Sequence, residues 1–248
     1  MISLKKVCLT NPITDQYLLQ DISLEVQQGD RLAIIGASGA GKTTLLRLLN
    51  RLISPTSGSL QFQGQDYGQI APTTLRRQIV LVSQEVRLLE MTVQEALAYP
   101  LVLQKLSSAK IQETVDYWIA KFQIPKTWLE RTEQQLSLGQ RQWVGICRAL
   151  VLQPPVLLLD EPTSALDQGR AEVLIQLLID LNQQQQTTIV MVNHQLEIAQ
   201  QFATSLIYLQ SGQLVSHQKY PEINWKEIAL NLQSHQQQLQ QEWDIENA

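Results

Sequence analysis

The stretch Gly36-Ala37-Ser38-Gly39-Ala40-Gly41-Lys42-Thr43 restricts this chain more than any other. It follows the apolar run Leu32-Ala33-Ile34-Ile35 and precedes a segment with helical periodicity. A short apolar run of this kind reads as a parallel strand buried on both faces. The spacing fits G-x-x-x-x-G-K-[ST] without deviation. Glycines let the backbone curl so that several N–H groups point inward at phosphate oxygens. A helix opening at Lys42 adds the positive end of its dipole. Lys42 is then set to reach the β- and γ-phosphates of a nucleotide. The Thr43 hydroxyl is set to ligate Mg²⁺.

The rest of the chain supplies the scaffold such a loop needs. Residues 2–9 and 17–26 alternate apolar and polar and read as strands around the turn Asn11-Pro12. The helix after the loop is expected to run to about Ile53, and residues 59–63 and 79–82 to form strands. From about 86 to 135 the pattern is helical, with Thr92-Val93-Gln94-Glu95 as a capping box and a second helix over 108–122. A third helix begins near Ser137. Then come a strand over 156–159, a helix over 168–182, a strand over 188–192, a short helix, and strands near 205–209 and 213–216. Strands alternating with helices predict an α/β fold with a parallel sheet covered on both faces. The early hairpin predicts an antiparallel β subdomain, and residues 85–140 an inserted helical subdomain. Residues 1–217 read as one unit, and 218–248 as a Gln-rich helical tail whose Ile228, Leu232, Leu239 and Trp243 share a face.

Composition removes several alternatives. The charged fraction is 17% and the hydrophobic fraction 44%, which argues against wholesale disorder. The net charge of −4, with Lys and Arg scattered, lacks the basic footprint of a nucleic-acid binder. Much of the polar surface falls to 37 glutamines, and the runs 183–186 and 236–238 read as solvated helix ends. Cys8 and Cys147 show no metal spacing, and so few thiols predict a reduced cytosolic setting. No window approaches the length of an apolar span, so no direct membrane insertion is expected.

A second constellation ends the strand Val156-Leu157-Leu158-Leu159, which runs straight into Asp160-Glu161. A strand buried on both faces would not end in two acids without partners for them. Asp160 is positioned to hold Mg²⁺. Glu161, one residue further, is positioned to polarise a water attacking the γ-phosphate.

Together these residues resemble the ATP-binding cassette (ABC) ATPases, which have a P-loop NTPase (RecA-like) core. Leu136-Ser137-Leu138-Gly139-Gln140, 20 positions before Asp160 by its last residue, is similar to the family signature L-S-G-G-Q. Gln84 resembles the Q-loop glutamine, Ser164-Ala165-Leu166-Asp167 the D-loop, and His194 the switch histidine. Tyr17 precedes Lys42 by 25 residues, as does the aromatic that stacks on adenine in the family. The resemblance covers about residues 1–217. Several of these residues also have purely structural readings. Ser137 and Gln140 form a capping box, Asp167 suits a helix cap, and an aromatic such as Tyr17 in a strand is usually core. Leu138 departs from the family by replacing the first signature glycine, and a slower ATPase is one expected consequence.

The resemblance implies a catalytic set of Glu161, His194 and Gln84. It implies ATP held by Tyr17, by Gly36 through Thr44 and by Asp167, and, from the signature of a second copy, by Ser137, Gly139 and Gln140. It implies Mg²⁺ held by Thr43, Gln84 and Asp160. In the family two cassettes sandwich two ATP molecules, so a homodimer is expected in the ATP-bound state. Membrane permease subunits on separate chains and a location on the cytoplasmic face of the membrane are also implied. The segment 85–91 could seat a coupling helix of the permease or belong to subdomain core. The run from Arg51 to Leu97 is similar to the ATPase of a bacterial iron-export pair. Two other readings are a soluble iron–sulphur assembly ATPase and a weakly hydrolysing regulatory cassette.

Overall fold

The computed structural model describes residues 1–246, and in the last helix the side chains to His235 and at Gln237. In chain order the elements are β1 (Ile2–Thr10), β2 (Tyr17–Val26), β3 (Arg31–Ile35), α1 (Lys42–Leu49), β4 (Ser57–Phe62), β5 (Gln65–Asp66), α2 (Pro72–Gln78) and β6 (Ile79–Val82). Next come α3 (Val93–Leu103), α4 (Ser108–Lys121), α5 (Leu138–Leu150), β7 (Val156–Asp160), α6 (Gln168–Gln185) and β8 (Thr188–Val192). The chain continues with α7 (Leu196–Phe202), β9 (Ser205–Gln210), β10 (Gln213–Lys219) and α8 (Trp225–Glu246).

Six strands form the central sheet in the order β10-β9-β3-β8-β7-β6, all parallel except β10. Strand periodicity divides its side chains between two cores. Ala33, Ile35, Leu157, Leu159, Ile189 and Met191 face one core; Leu32, Ile34, Val156, Leu158, Val190 and Val192 face the other. The second core is closed by α1 and by the antiparallel sheet β2-β1-β4-β5. Each fully buried leucine contributes about 1.5–3 kcal/mol of transfer free energy. The two-faced burial expected of a parallel sheet is thus met.

The helical insert packs on the first face. Trp118, Phe122 and Trp143 share one core with Leu157 and Leu159. The Trp143 indole N–H donates to the Phe122 carbonyl at 2.9 Å. Thr92 and Ser137 cap α3 and α5, each with both halves of the capping box formed.

Five expectations need correction. The helix after the loop stops at Leu49, not near Ile53. The Asn50 side chain donates to the Ile79 carbonyl, and Arg51 turns left-handed (φ 56°) to bond the Tyr67 and Ile70 carbonyls. Residues 83–91 are not helical, because Leu89 and Glu90 are consecutive left-handed residues. Within them Val86 and Leu88 are buried while Leu89 is exposed, so the segment divides between core and surface. β10 runs past residue 217, and the tail is helical only from Trp225, with 236–238 inside the helix rather than at its end. Gln183–186 are solvated as expected. Ile228 is buried and Leu232 packs beside it; Leu239 and Trp243 lie outside the described side chains.

Candidate nucleotide-binding site

β3 delivers the chain into the loop, and Gly41 stands at the N-cap of α1 with φ 95°. A β-carbon there would be strained and would lie 2.9 Å from the Leu18 carbonyl oxygen. No side chain caps α1, so its first N–H groups are left for an anion. The loop closes around its own lysine: Lys42 Nζ donates to the carbonyls of Gly36 at 2.9 Å and Ala37 at 2.8 Å. Burial lowers the pKa of Lys42, and the carboxylates of Glu161 and Asp160 oppose that shift.

Behind the loop, the Thr43 hydroxyl donates to Asp160 Oδ1 at 3.1 Å. Asp160 closes β7 and is buried. That burial raises its pKa, while the bond from Thr43 holds the shift back. Hydroxyl, carboxylate and the amide oxygen of Gln84 form a hard-oxygen set that fits Mg²⁺, which takes few protein ligands. Among the described residues no three His, Cys, Asp or Glu side chains group to hold a metal by themselves.

Immediately after Asp160 the backbone turns left-handed at Glu161, with φ 51°. Such a conformation costs a non-glycine residue on the order of 1–3 kcal/mol. The turn is tied down by Glu161 N–H donating to Val192 O at 3.1 Å and Ser164 Oγ–H donating to Glu161 O at 2.9 Å. The Glu161 carboxylate meets two partners. His194 Nε2 lies 2.5 Å from Oε1, and Gln84 Nε2 donates to Oε2 at 3.0 Å. Gln84 and His194 each stand two residues beyond a strand, β6 and β8, and these flank β7 in the sheet. The three polar side chains therefore converge at the carboxyl ends of adjacent parallel strands, where open α/β sheets bind ligands.

A cleft of about 520 Å³ joins these groups. Ser38 to Thr44, Gln84, Glu161, His194 and Tyr17 all line it. Tyr17 is 53% exposed, so its core reading fails. The sequence reading missed Leu18, Ser211 and Gly212 on the same wall. Ser211-Gly212 was legible as a two-residue hairpin turn, but nothing local says which loop it abuts. The contact is long-range: Gly212 N–H donates to Ala40 O at 3.2 Å. Asn193 was also missed. It is buried, donates to Thr163 Oγ1 at 3.0 Å and accepts from Gln195 N–H at 2.8 Å, steering the turn that carries His194.

Seven of the expected site residues do not line this cleft. Gly36 and Ala37 are bonded behind it to Lys42, and Asp160 to Thr43, whereas Ser137, Gly139, Gln140 and Asp167 lie apart from it. Ser137 Oγ accepts from Gln140 N–H at 3.2 Å, and the Gln140 side chain returns to Ser137 N–H at 3.0 Å. Asp167 caps α6 through Arg170 N–H at 2.9 Å. Leu138, the departure from the signature, is 54% exposed.

Residues 19–164 match the family described as ABC transporter. The chain is 36% identical over 229 residues to the methionine import ATP-binding protein MetN of Mannheimia succiniciproducens, covering 90% of this chain and 66% of that one. It is 40% identical over 203 residues to MetN of Cupriavidus metallidurans, covering 80% and 59%. The chain thus spans less than two thirds of the length of these relatives. Among solved structures, the dimeric post-hydrolysis ATP-binding cassette MJ0796 with ADP and Pi superposes with a TM-score of 0.83 at 29% identity, over 90% of this chain and 100% of that one.

Proposed function

The chain belongs to the ABC transporter family, and on that premise we propose that it binds and hydrolyses ATP to drive solute movement through separate membrane subunits. The observation that carries this reading is the convergence of Gln84 and His194 on Glu161 in the cleft that Lys42 and Thr43 also line, with Asp160 bonded to Thr43 behind it.

Each residue then has a task. Lys42 and the first N–H groups of α1 hold the β- and γ-phosphates. Tyr17 stacks on the base. Thr43, Asp160 and Gln84 hold Mg²⁺, which when bound neutralises charge on the phosphate oxygens. Glu161 orients the attacking water and takes its proton. His194 and Gln84 fix the direction of that carboxylate. Ser137, Gly139, Gln140 and Asp167 serve a neighbouring copy, because they lie outside this cleft while the uncapped start of α1 accounts for only one side of a triphosphate. ATP then holds two copies together, and loss of the γ-phosphate releases them.

No helix among the described residues is long and apolar enough to cross a membrane. A pore on other chains, with this protein on its cytoplasmic face, follows from the reading. The relatives' names make methionine the first solute to test. The iron-export resemblance of the run 51–97 makes metal ions the comparison arm.

Phosphate release from Mg-ATP tests the enzymatic core. Wild type is expected to exceed both Glu161→Gln and Lys42→Ala. A wild type no faster than Glu161→Gln overturns the assignment.

A further inference from the structure

Outside the cleft, Glu133 is the centre of a charged network that the ATPase reading does not use. It lies in a short 3-10 turn over 133–135, just before Ser137, and its side chain is 14% exposed. Its Oε2 accepts from the Leu88 backbone N–H at 2.7 Å. Its Oε1 accepts from Arg87 Nη1 and from Arg141 Nη1, each at 3.3 Å. Arg141 Nε is buried without a partner, so the bond to Glu133 is what steers that guanidinium. Arg148, also on α5, donates to the Arg87 carbonyl at 2.9 Å. Arg87 has a second, looser acid at 3.7 Å, Glu85.

The apolar side of the same contact is equally close. Val86 is buried against Gly145 of α5, where a β-carbon would come within 2.5 Å of Val86 Cγ1. The segment that follows Gln84 is therefore seated on α5 by Val86 and tied by Glu133 to the turn that leads into Ser137. Sequence alone gave no hint of this, since Glu133 and Leu88 are 45 residues apart.

We propose that Glu133 is a positioning residue that locks the segment after Gln84 to the start of α5, so that Gln84 and Ser137 move as one piece. The proposal rests on the reading that these two residues serve ATP hydrolysis. The hydrogen bonds of the Lys42, Thr43 and Asp160 side chains go to Gly36, Ala37 and each other and not to the network, so the lock acts on turnover and not on the first encounter with nucleotide. Glu133→Gln keeps the shape but turns an N–H₂ group toward donors. Arg87 is 69% exposed, so Arg87→Gln breaks one arm of the lock with little risk to folding.

The test measures kcat, ATP affinity and melting temperature of the full-length chain. Glu133→Gln and Arg87→Gln are each expected to lower kcat about tenfold, with ATP affinity held within about twofold. The double variant should be no slower than Glu133→Gln alone, because both changes open one lock. Glu133→Asp, which keeps the charge, should recover part of the rate. Unchanged kcat in both single variants overturns the proposal. So do additive losses, or a kcat loss matched by equal losses of affinity in Arg87→Gln. If wild type itself is no faster than Glu161→Gln, the ATPase reading has failed; if wild type hydrolyses and only the lock variants are silent, this inference alone has failed.

Discussion

Gly139 faces Ala165 so closely that a β-carbon on Gly139 would sit 2.5 Å from the Ala165 carbonyl oxygen. The start of α5 and the segment 164–167 are therefore one packed unit within a single copy. Gly139→Ala must push two backbones apart. The expected cost is about 1–3 kcal/mol in urea unfolding, together with loss of hydrolysis. An unchanged unfolding midpoint would show that the two segments yield freely.

Leu138 is the opposite case. Its side chain projects into solvent at the first position of α5, so Leu138→Gly should cost no more than about 1 kcal/mol of stability. If the side chain stands beside the γ-phosphate of a neighbouring copy, removing it speeds hydrolysis and leaves the ATP affinity of an isolated copy alone. Steady-state kinetics on the variant decide the matter; an unaltered rate means Leu138 does not reach the reacting group.

Tyr17 presents an exposed ring at the mouth of the cleft. Stacking of a base on an aromatic ring is worth about 1–3 kcal/mol. Tyr17→Ala should weaken ATP binding by a factor within roughly 5–150, and Tyr17→Phe should bind as wild type does. Titration calorimetry reads the difference. Equal affinity for Tyr17→Ala would remove the ring from the base site.

Glu133 also makes a pH prediction. The Leu88 N–H bond, aided by Arg87 and Arg141 against the effect of burial, holds its carboxyl below the usual 4.5. A carboxyl whose pKa falls on folding stabilises the protein above its unfolded pKa, and that gain disappears as the pH drops through the folded value. Glu133→Gln should therefore melt below wild type at pH 7, and the gap should narrow as the pH falls from 4.5 through the lower folded value. A gap independent of pH would mean that shape rather than charge is at stake.

How much of this could be read from the chain follows from the range of each interaction. The phosphate loop is contiguous, and the boxes at Thr92 and Ser137 span four residues each, so local sequence sufficed. The alternation of Leu32 to Ile35 between two cores follows from strand geometry. The early end of α1 depends on Asn50 reaching Ile79, and the wall of the cleft on Gly212 reaching Ala40. Nothing near those residues announces either contact. The left-handed turn at Glu161, which aims its carboxylate at His194, is set by Val192 and Ser164 and was equally invisible.

Sedimentation of Glu161→Gln with Mg-ATP tests the central claim most directly. Blocking proton abstraction leaves the γ-phosphate in place while Lys42, Thr43 and Asp160 still bind. The account predicts monomers with ADP and stable dimers with ATP. A variant that saturates with ATP and still sediments as a monomer would contradict it.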